Sequence, residues 1–419
     1  MRLVRLRQLA AMGVFLASTG CATVPSGSAV ATIKVGAVFP LSGPQAALAK
    51  QEYAGVQIAR DFVNADGGVD GAPITLITKD LQSEADASAR VQDLKAQGVE
   101  SILGAYSSSL SMPVSAAAQS RGLLYWEAGA VADQLTGRGY PLVFRVGATG
   151  GNLGTMSSHF AATVLAPRLN LPVWGLRMAI VHNLDGYPSS VATAVAQQAE
   201  KEGIQVVANV VYDAHVPDWP AVLHQVRTAQ PNILVLASYI ADGVDFRRAM
   251  LKSGLHVDAF IGSTMAQCVP DFGAMMGADA IGVFASDRPP QGFNPDALNA
   301  TGRQIYARFA TAYRREFGTD PTEESLAGFS AGWTLFHYVM PRSHDLDATD
   351  LAAAARSLDL PDGTLANGAG VKFATSAQAM GQNLRAASVI WQWQGVRHSV
   401  TVYPPVFATG TPGFIPLPR

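Results

Sequence analysis

VESILGAYSSSLSMPVSAAAQSRGLLYWEAGAVADQL, running from Val99 to Leu135, decides the fold. Ile102 and Leu103 form a short apolar run that stops at Gly104. Ser107, Ser108 and Ser109 then open a small-residue helix that continues to about Arg121. A serine suits that place, because its hydroxyl accepts a bond from an unpaired amide of the first helical turn. Leu123–Trp126 reads as the next buried strand, and it ends in another turn of small residues, Ala128-Gly129-Ala130. Two such strand-to-helix turns side by side mark the carboxyl edge of a parallel sheet, where open α/β sheets bind ligands. A helix start rich in amides and hydroxyls suits an anionic group. A serine triplet taken alone only caps a helix; the second turn beside it adds the binding reading.

The chain on either side repeats the pattern. Ile33–Phe39 and Ile74–Thr78 are strand runs, with a helix between them that carries Tyr53, Val56, Ile58, Ala59 and Phe62 on its apolar stripe and stops at Gly67-Gly68. Ala85–Gln97 is a second helix, and Leu142–Arg145 a further short strand. Strands alternating with helices over short connections predict a parallel, doubly wound sheet. Gly147–Gly154 (GATGGNLG) lacks the Lys-Ser/Thr and the spacing of a phosphate loop, and reads as a flexible crossing. A second alternating series follows, with strands at Met178–His182, Val206–Val211, Ile233–Leu236 and Phe260–Gly262 and helices between them. Ile281–Ala285 reads as a return strand, Leu298–Phe317 and Leu326–Val339 as amphipathic helices, and Ser388–Trp393 and Ser399–Tyr403 as closing strands. The reading is therefore α/β, with two doubly wound lobes, a hinge and a cleft between them.

Composition narrows the function. Arg2, Arg5 and Arg7 precede a short apolar core, Leu9–Ala17, and then Ser18-Thr19-Gly20-Cys21. This is an export signal whose end resembles a lipoprotein cleavage site, in which case Cys21 is the lipidated first residue of the mature chain; an ordinary secretory signal is the alternative. Removing residues 1–20 leaves 27 Lys+Arg against 32 Asp+Glu, a net charge of −5 that argues against nucleic acid. Besides Cys21 only Cys268 remains, so no disulfide framework is expected. His182 with Asp185 and Ser189 lacks a nucleophile elbow or metal-ligand spacing, and His182 at a strand end reads as a core histidine. No enzyme, metal or cofactor is expected.

Several segments together resemble the extracytoplasmic solute-binding proteins of branched-chain amino acid and amide ABC importers, the Leu/Ile/Val-binding family with the type I periplasmic-binding fold. They are FPLSGPQA (39–46), NADGGVDGAPITL (64–76), GAYSSS (104–109), AIVHNLDGY (179–187), DGTLANGAGVKF (362–373) and VYPPVFATG (402–410). The resemblance implies that Ser107, with Ser108, and the turn Gly129-Ala130-Val131 hold a ligand carboxylate. It places Tyr187 and Tyr239 opposite, on the second lobe. Where relatives carry an acid for the ligand ammonium, this chain has Ser263-Thr264, so Thr264 lines that wall and Glu127 is the candidate replacement carboxylate. The resemblance also implies a lobe 1 of 32–150 plus 286–369, a lobe 2 of 151–285 plus 370–405, a tether at 21–31 and a tail at 406–419. It implies a monomer that meets a small-molecule ligand and an ABC permease and touches the membrane through its lipid alone, in the periplasm or at the cell surface. A sensor using the same cleft to signal to a membrane partner is the alternative.

Overall fold

A computed structural model describes residues 32–418. Cys21, the export signal and the tether lie outside the described residues. The first series runs β1 (Ile33–Phe39), α1 (Ala46–Ala65), β2 (Ile74–Asp80), α2 (Ala87–Ala96), β3 (Ser101–Gly104), α3 (Ser108–Ser120), β4 (Leu124–Glu127), α4 (Gln134–Gly137) and β5 (Val143–Arg145). These strands form one parallel sheet in the order β2-β1-β3-β4-β5. The chain then passes through α5 (Gly150–Phe160) and α6 (Ala166–Arg168). The second series is β6 (Arg177–Asn183), α7 (Gly186–Glu202), β7 (Gln205–Tyr212), α8 (Trp219–Ala229), β8 (Ile233–Ala237), α9 (Ile240–Ser253), β9 (Ala259–Ser263), α10 (Pro270–Met276) and β10 (Phe284–Asp287). Helices α11 (Ala300–Phe317), α12 (Glu323–Trp333) and α13 (Ala348–Arg356) follow, and β11 (Val389–Gly395) and β12 (His398–Tyr403) close the chain. The second sheet is β12-β11-β10-β9-β8-β6-β7, parallel from β10 to β7, with β11 and β12 antiparallel at one edge.

Each sheet has a point where the strand order reverses. In the first it lies between β1 and β3; in the second, between β6 and β8. The connections leaving neighbouring strands at such a point run to opposite sides, which opens a crevice at the carboxyl ends. Tyr106-Ser107 follows β3, Asp185–Tyr187 follows β6, and Ser238-Tyr239 follows β8.

Two sequence expectations are corrected. The glycine-rich run 147–154 is the start of α5, with Thr149 accepting from the Asn152 amide as its cap. The glycines serve packing. A Cβ at Gly150 would lie 2.6 Å from Ser190 Cβ, and one at Gly154 would lie 2.4 Å from the Val191 carbonyl, so α5 sits directly on α7. Residues 370–387, assigned to the second lobe, lie against the first sheet instead. Arg145 pairs with Gln382 at the β5 edge, the Arg145 amide donates to Gly381, and Phe373 packs edge-on against Trp126. In the tail, Leu417 is buried in the core beneath the second sheet, and its amide donates to the Asp258 carbonyl. Trp126, fully buried, is core, stacked on Phe144 and bonded through Nε1 to the Ala331 carbonyl.

One helix contact bears on the site. Helix α1 crosses α12 so closely that Cβ atoms at Gly55 and Gly328 would fall 2.1 Å from the Ser325 carbonyl and 1.9 Å from the Glu52 carbonyl. Only glycine permits that approach, and the edge-on contacts of Phe62 with Phe329 and Trp333 extend the same interface. The crossing brings Glu52 on α1 next to the amino end of α12.

Candidate interlobe binding site

The two lobes are in contact. The Asp133 amide, past β4, donates to Ser190 Oγ on α7 at 3.0 Å. Leu48 of α1 packs on the core of the second sheet. Arg288, just past β10, donates through Nη1 to the Gly129 carbonyl at 3.1 Å. The residues at both reversal points are consequently sealed: Ser107 and Tyr187 have no exposed surface, and Thr264 retains 1 %.

The turn after β4 is held by the protein itself. Glu127 is fully buried, and its Oε1 accepts the amides of Ala128, Gly129 and Ala130 at 3.0, 2.8 and 2.9 Å. Its Oε2 accepts the Tyr125 hydroxyl at 2.8 Å. Burial raises the Glu127 pKa, and these donors work in the opposite direction by favouring the ionised form. The Ala132 amide donates to Ser108 Oγ. Arg145, buried beneath the turn, donates to the Ala130 and Ala132 carbonyls. Glu127, the Gly129 and Ala130 amides and the Ser108 hydroxyl, all expected to meet the ligand, make these bonds within the turn itself. The cause is local, because a carboxylate at the strand end lies within reach of the next three amides.

Ser107 differs. It is the residue before α3, yet its hydroxyl bonds to no amide of that helix and lies 3.3 Å from Ser109 Oγ. Its backbone is extended, and the first-turn amides of α3 point out of the helix beside it. Val131 is buried next to the same turn, and its carbonyl accepts from Gly150.

From the other lobe, the Tyr187 hydroxyl is buried among the Ser238 carbonyl, Ser263 Oγ at 2.6 Å and the Thr264 carbonyl. It braces the turns after β8 and β9. Tyr239 stacks edge-on against Tyr187, and its hydroxyl donates to Asp185 at 3.0 Å. Thr264 Oγ1 is buried with no partner among the described residues. His182 is buried with Nδ1 2.7 Å from the Asn183 carbonyl.

Sequence reading missed the charged heart of the cleft. Arg288 donates through Nε to Glu323 at 2.7 Å and through Nη2 to Glu324 at 3.1 Å, both in the first turn of α12, where the helix dipole favours acids. Asp287 and Glu52 face the same guanidinium, and these carboxylates outweigh burial to hold its pKa well above the ordinary arginine value. One guanidinium cannot neutralise them all. Burial first, then the charges of Glu324 and Glu127, push the Glu52 pKa well above the usual carboxylate range. Burial and then Asp287 do the same to Glu323. Cys268, Asp287 and Glu323 bring one donor atom each within 4.8 Å of one another. The guanidinium already on Glu323 puts a fixed positive charge there, which does not suit a metal ion.

The signature of the family described as periplasmic binding protein matches residues 32–392. The chain is 30% identical over 407 residues to the Leu/Ile/Val-binding protein homolog 8 of Brucella suis, covering 96% of this chain and 97% of that one. Among solved structures, a leucine-binding protein of Thermotoga maritima superposes with a TM-score of 0.74 at 17% identity, over 89% of this chain and 98% of the other. The branched-chain amino acid transporter substrate-binding protein of Streptococcus pneumoniae, in complex with isoleucine, gives a TM-score of 0.71 at 19% identity, over 89% and 100%.

Proposed function

The chain belongs to the periplasmic binding protein family, and from that premise we propose that it captures a branched-chain amino acid between its lobes and delivers it to an ABC importer. The observation that carries the reading is that residues at the carboxyl ends of both sheets are buried: Ser107 before α3 in one lobe, and in the other Thr264, whose Oγ1 has no partner among the described residues. In this reading the solute's carboxylate docks at Ser107 and the α3 amides, and its side chain meets Val131 and Tyr239. Hinge closure follows from contacts made only in the closed form, since a ligand shifts the equilibrium by its differential affinity alone. The names of the relatives support the solute class.

Export with lipidation of Cys21 completes the proposal, and Cys21→Ser should release the protein from the membrane fraction. The test of capture is a melting-temperature screen against leucine, isoleucine, valine, their amides and unrelated amino acids. Saturating ligand should raise the melting temperature, because it binds the folded state alone. A screen in which the branched-chain members leave it unchanged overturns the reading.

A further inference from the structure

Glu52 has an unusual place. It is fully buried on α1, and neither carboxylate oxygen has a hydrogen-bond partner among the described residues. Its Oε2 occupies the space a side chain at residue 129 would fill, 2.1 Å from that ideal Cβ position, and the Tyr106 carbonyl flanks the same spot at 2.9 Å. The carboxylate therefore stands between the turn that ends β3 and the turn that ends β4, on the cleft edge of the first sheet. Arg288 does not answer it, since its three guanidinium nitrogens are taken by Glu323, Gly129 and Glu324. Glu324 keeps Oε1 unpartnered, and Asp287 keeps Oδ2 unpartnered. Neighbouring groups thus add negative charge, and none of the described residues donates a hydrogen bond to Glu52.

We infer that Glu52 receives the positively charged group of the captured solute, with Glu324 and the Tyr106 carbonyl beside it. The inference rests on the capture reading above and names the half of the solute that reading leaves unassigned. A buried carboxyl group with no partner is retained at a cost that a methionine of similar volume would avoid. A solute ammonium removes that cost on arrival and fits the excess of acids over the single guanidinium. Glu52 thus occupies the role for which Glu127 was the sequence candidate, because Glu127 is committed to three amides and a phenol. The Tyr106 carbonyl offers an ammonium a second acceptor, which a guest anion could not use.

The experiment is titration calorimetry of the full exported protein and of Glu52→Gln with three probes of one carbon skeleton. L-Leucine carries both charges, 4-methylpentanoate lacks the ammonium, and 3-methylbutylamine lacks the carboxylate. The wild type should bind leucine about 10- to 100-fold more tightly than 4-methylpentanoate, and E52Q should lose about that factor for the two ammonium-bearing probes while its affinity for 4-methylpentanoate does not fall. Ligand-free E52Q should melt at or above the wild-type temperature, since it removes an unpartnered acid; a large loss assigns Glu52 a structural task and overturns the inference. Equal leucine affinity in wild type and E52Q also overturns it, and leaves the capture reading standing. Tight binding of 4-methylpentanoate overturns it as well. Binding of the amine but of no amino acid upholds the inference and overturns the capture reading. Failure of every cationic probe overturns both.

Discussion

Substituting Glu127 separates a ligand contact from a structural one. Its carboxylate accepts three amides on Oε1 and a phenol on Oε2, all out of reach of solvent. Glu127→Gln keeps a carbonyl under the three amides and presents an NH2 to Tyr125, whose hydroxyl can turn to accept. What is lost is charge. A hydrogen bond to an ionised acceptor contributes about 1.5–3 kcal/mol against about 0.5–1.5 for a neutral one. Three donors sharing one oxygen are not additive, so the expected loss is about 2–3 kcal/mol. Glu127→Ala strands all three amides, each at about 1–3 kcal/mol, for a loss of about 4–6 once entering water relieves part of it. Against a typical stability of about 5–15 kcal/mol, that variant is close to unfolding. Urea denaturation, with midpoint and slope compared to the wild type, reads the loss. Leucine titration of E127Q should give affinity within about twofold of the wild type, a difference of about 0.4 kcal/mol. An unchanged midpoint with a tenfold weaker affinity would refute the reasoning and return Glu127 to the ligand.

Gly328→Ala should cost about 1–3 kcal/mol in the same assay and weaken leucine binding, because its Cβ would fall 1.9 Å from the Glu52 carbonyl and push α1 off α12; wild-type values in both would show that the crossing tolerates spreading. Arg288→Gln leaves Glu323 and Glu324 buried without their cation and should cost about 3–5 kcal/mol. It also removes the bond to Gly129, so small-angle scattering should show a more open molecule; an unchanged radius of gyration would contradict the bridging role. The raised pKa of Glu52 means that the folded state holds its proton more tightly than the unfolded state does. Its contribution to stability is full below the unfolded value and is lost as pH rises through the folded one. Ligand-free wild type should therefore lose melting temperature relative to E52Q as pH rises above the ordinary glutamate range, and a constant gap would refute the shift.

The strands were legible as short apolar runs, some of them ended by a glycine or proline, as at Leu103-Gly104 and Phe39-Pro40. Their alternation with helices sufficed for two doubly wound sheets. Helix α5 was hidden because its glycines, chosen for contact with α7, look like loop residues when read one position at a time. The capping bond that the serine triplet suggested is not made by Ser107. The charged cluster was missed because Glu52, Arg288 and Glu324 come from remote segments joined only by the fold. A signal did exist on α1. Glu52 shares the buried stripe of Ala49, Val56, Ala59 and Phe62, where spacings of three and four put an acid on the apolar face. An acid at such a position requires a partner, and the sequence does not say that the partner is absent from the chain.

The most direct test of the central claim is equilibrium dialysis of the full exported protein against radiolabelled L-leucine. Capture in one interlobe cleft predicts saturable binding of a single leucine per chain, displaced by isoleucine and valine and not by lysine or glutamate. Binding that never saturates, or no retention of leucine, isoleucine or valine, would contradict it.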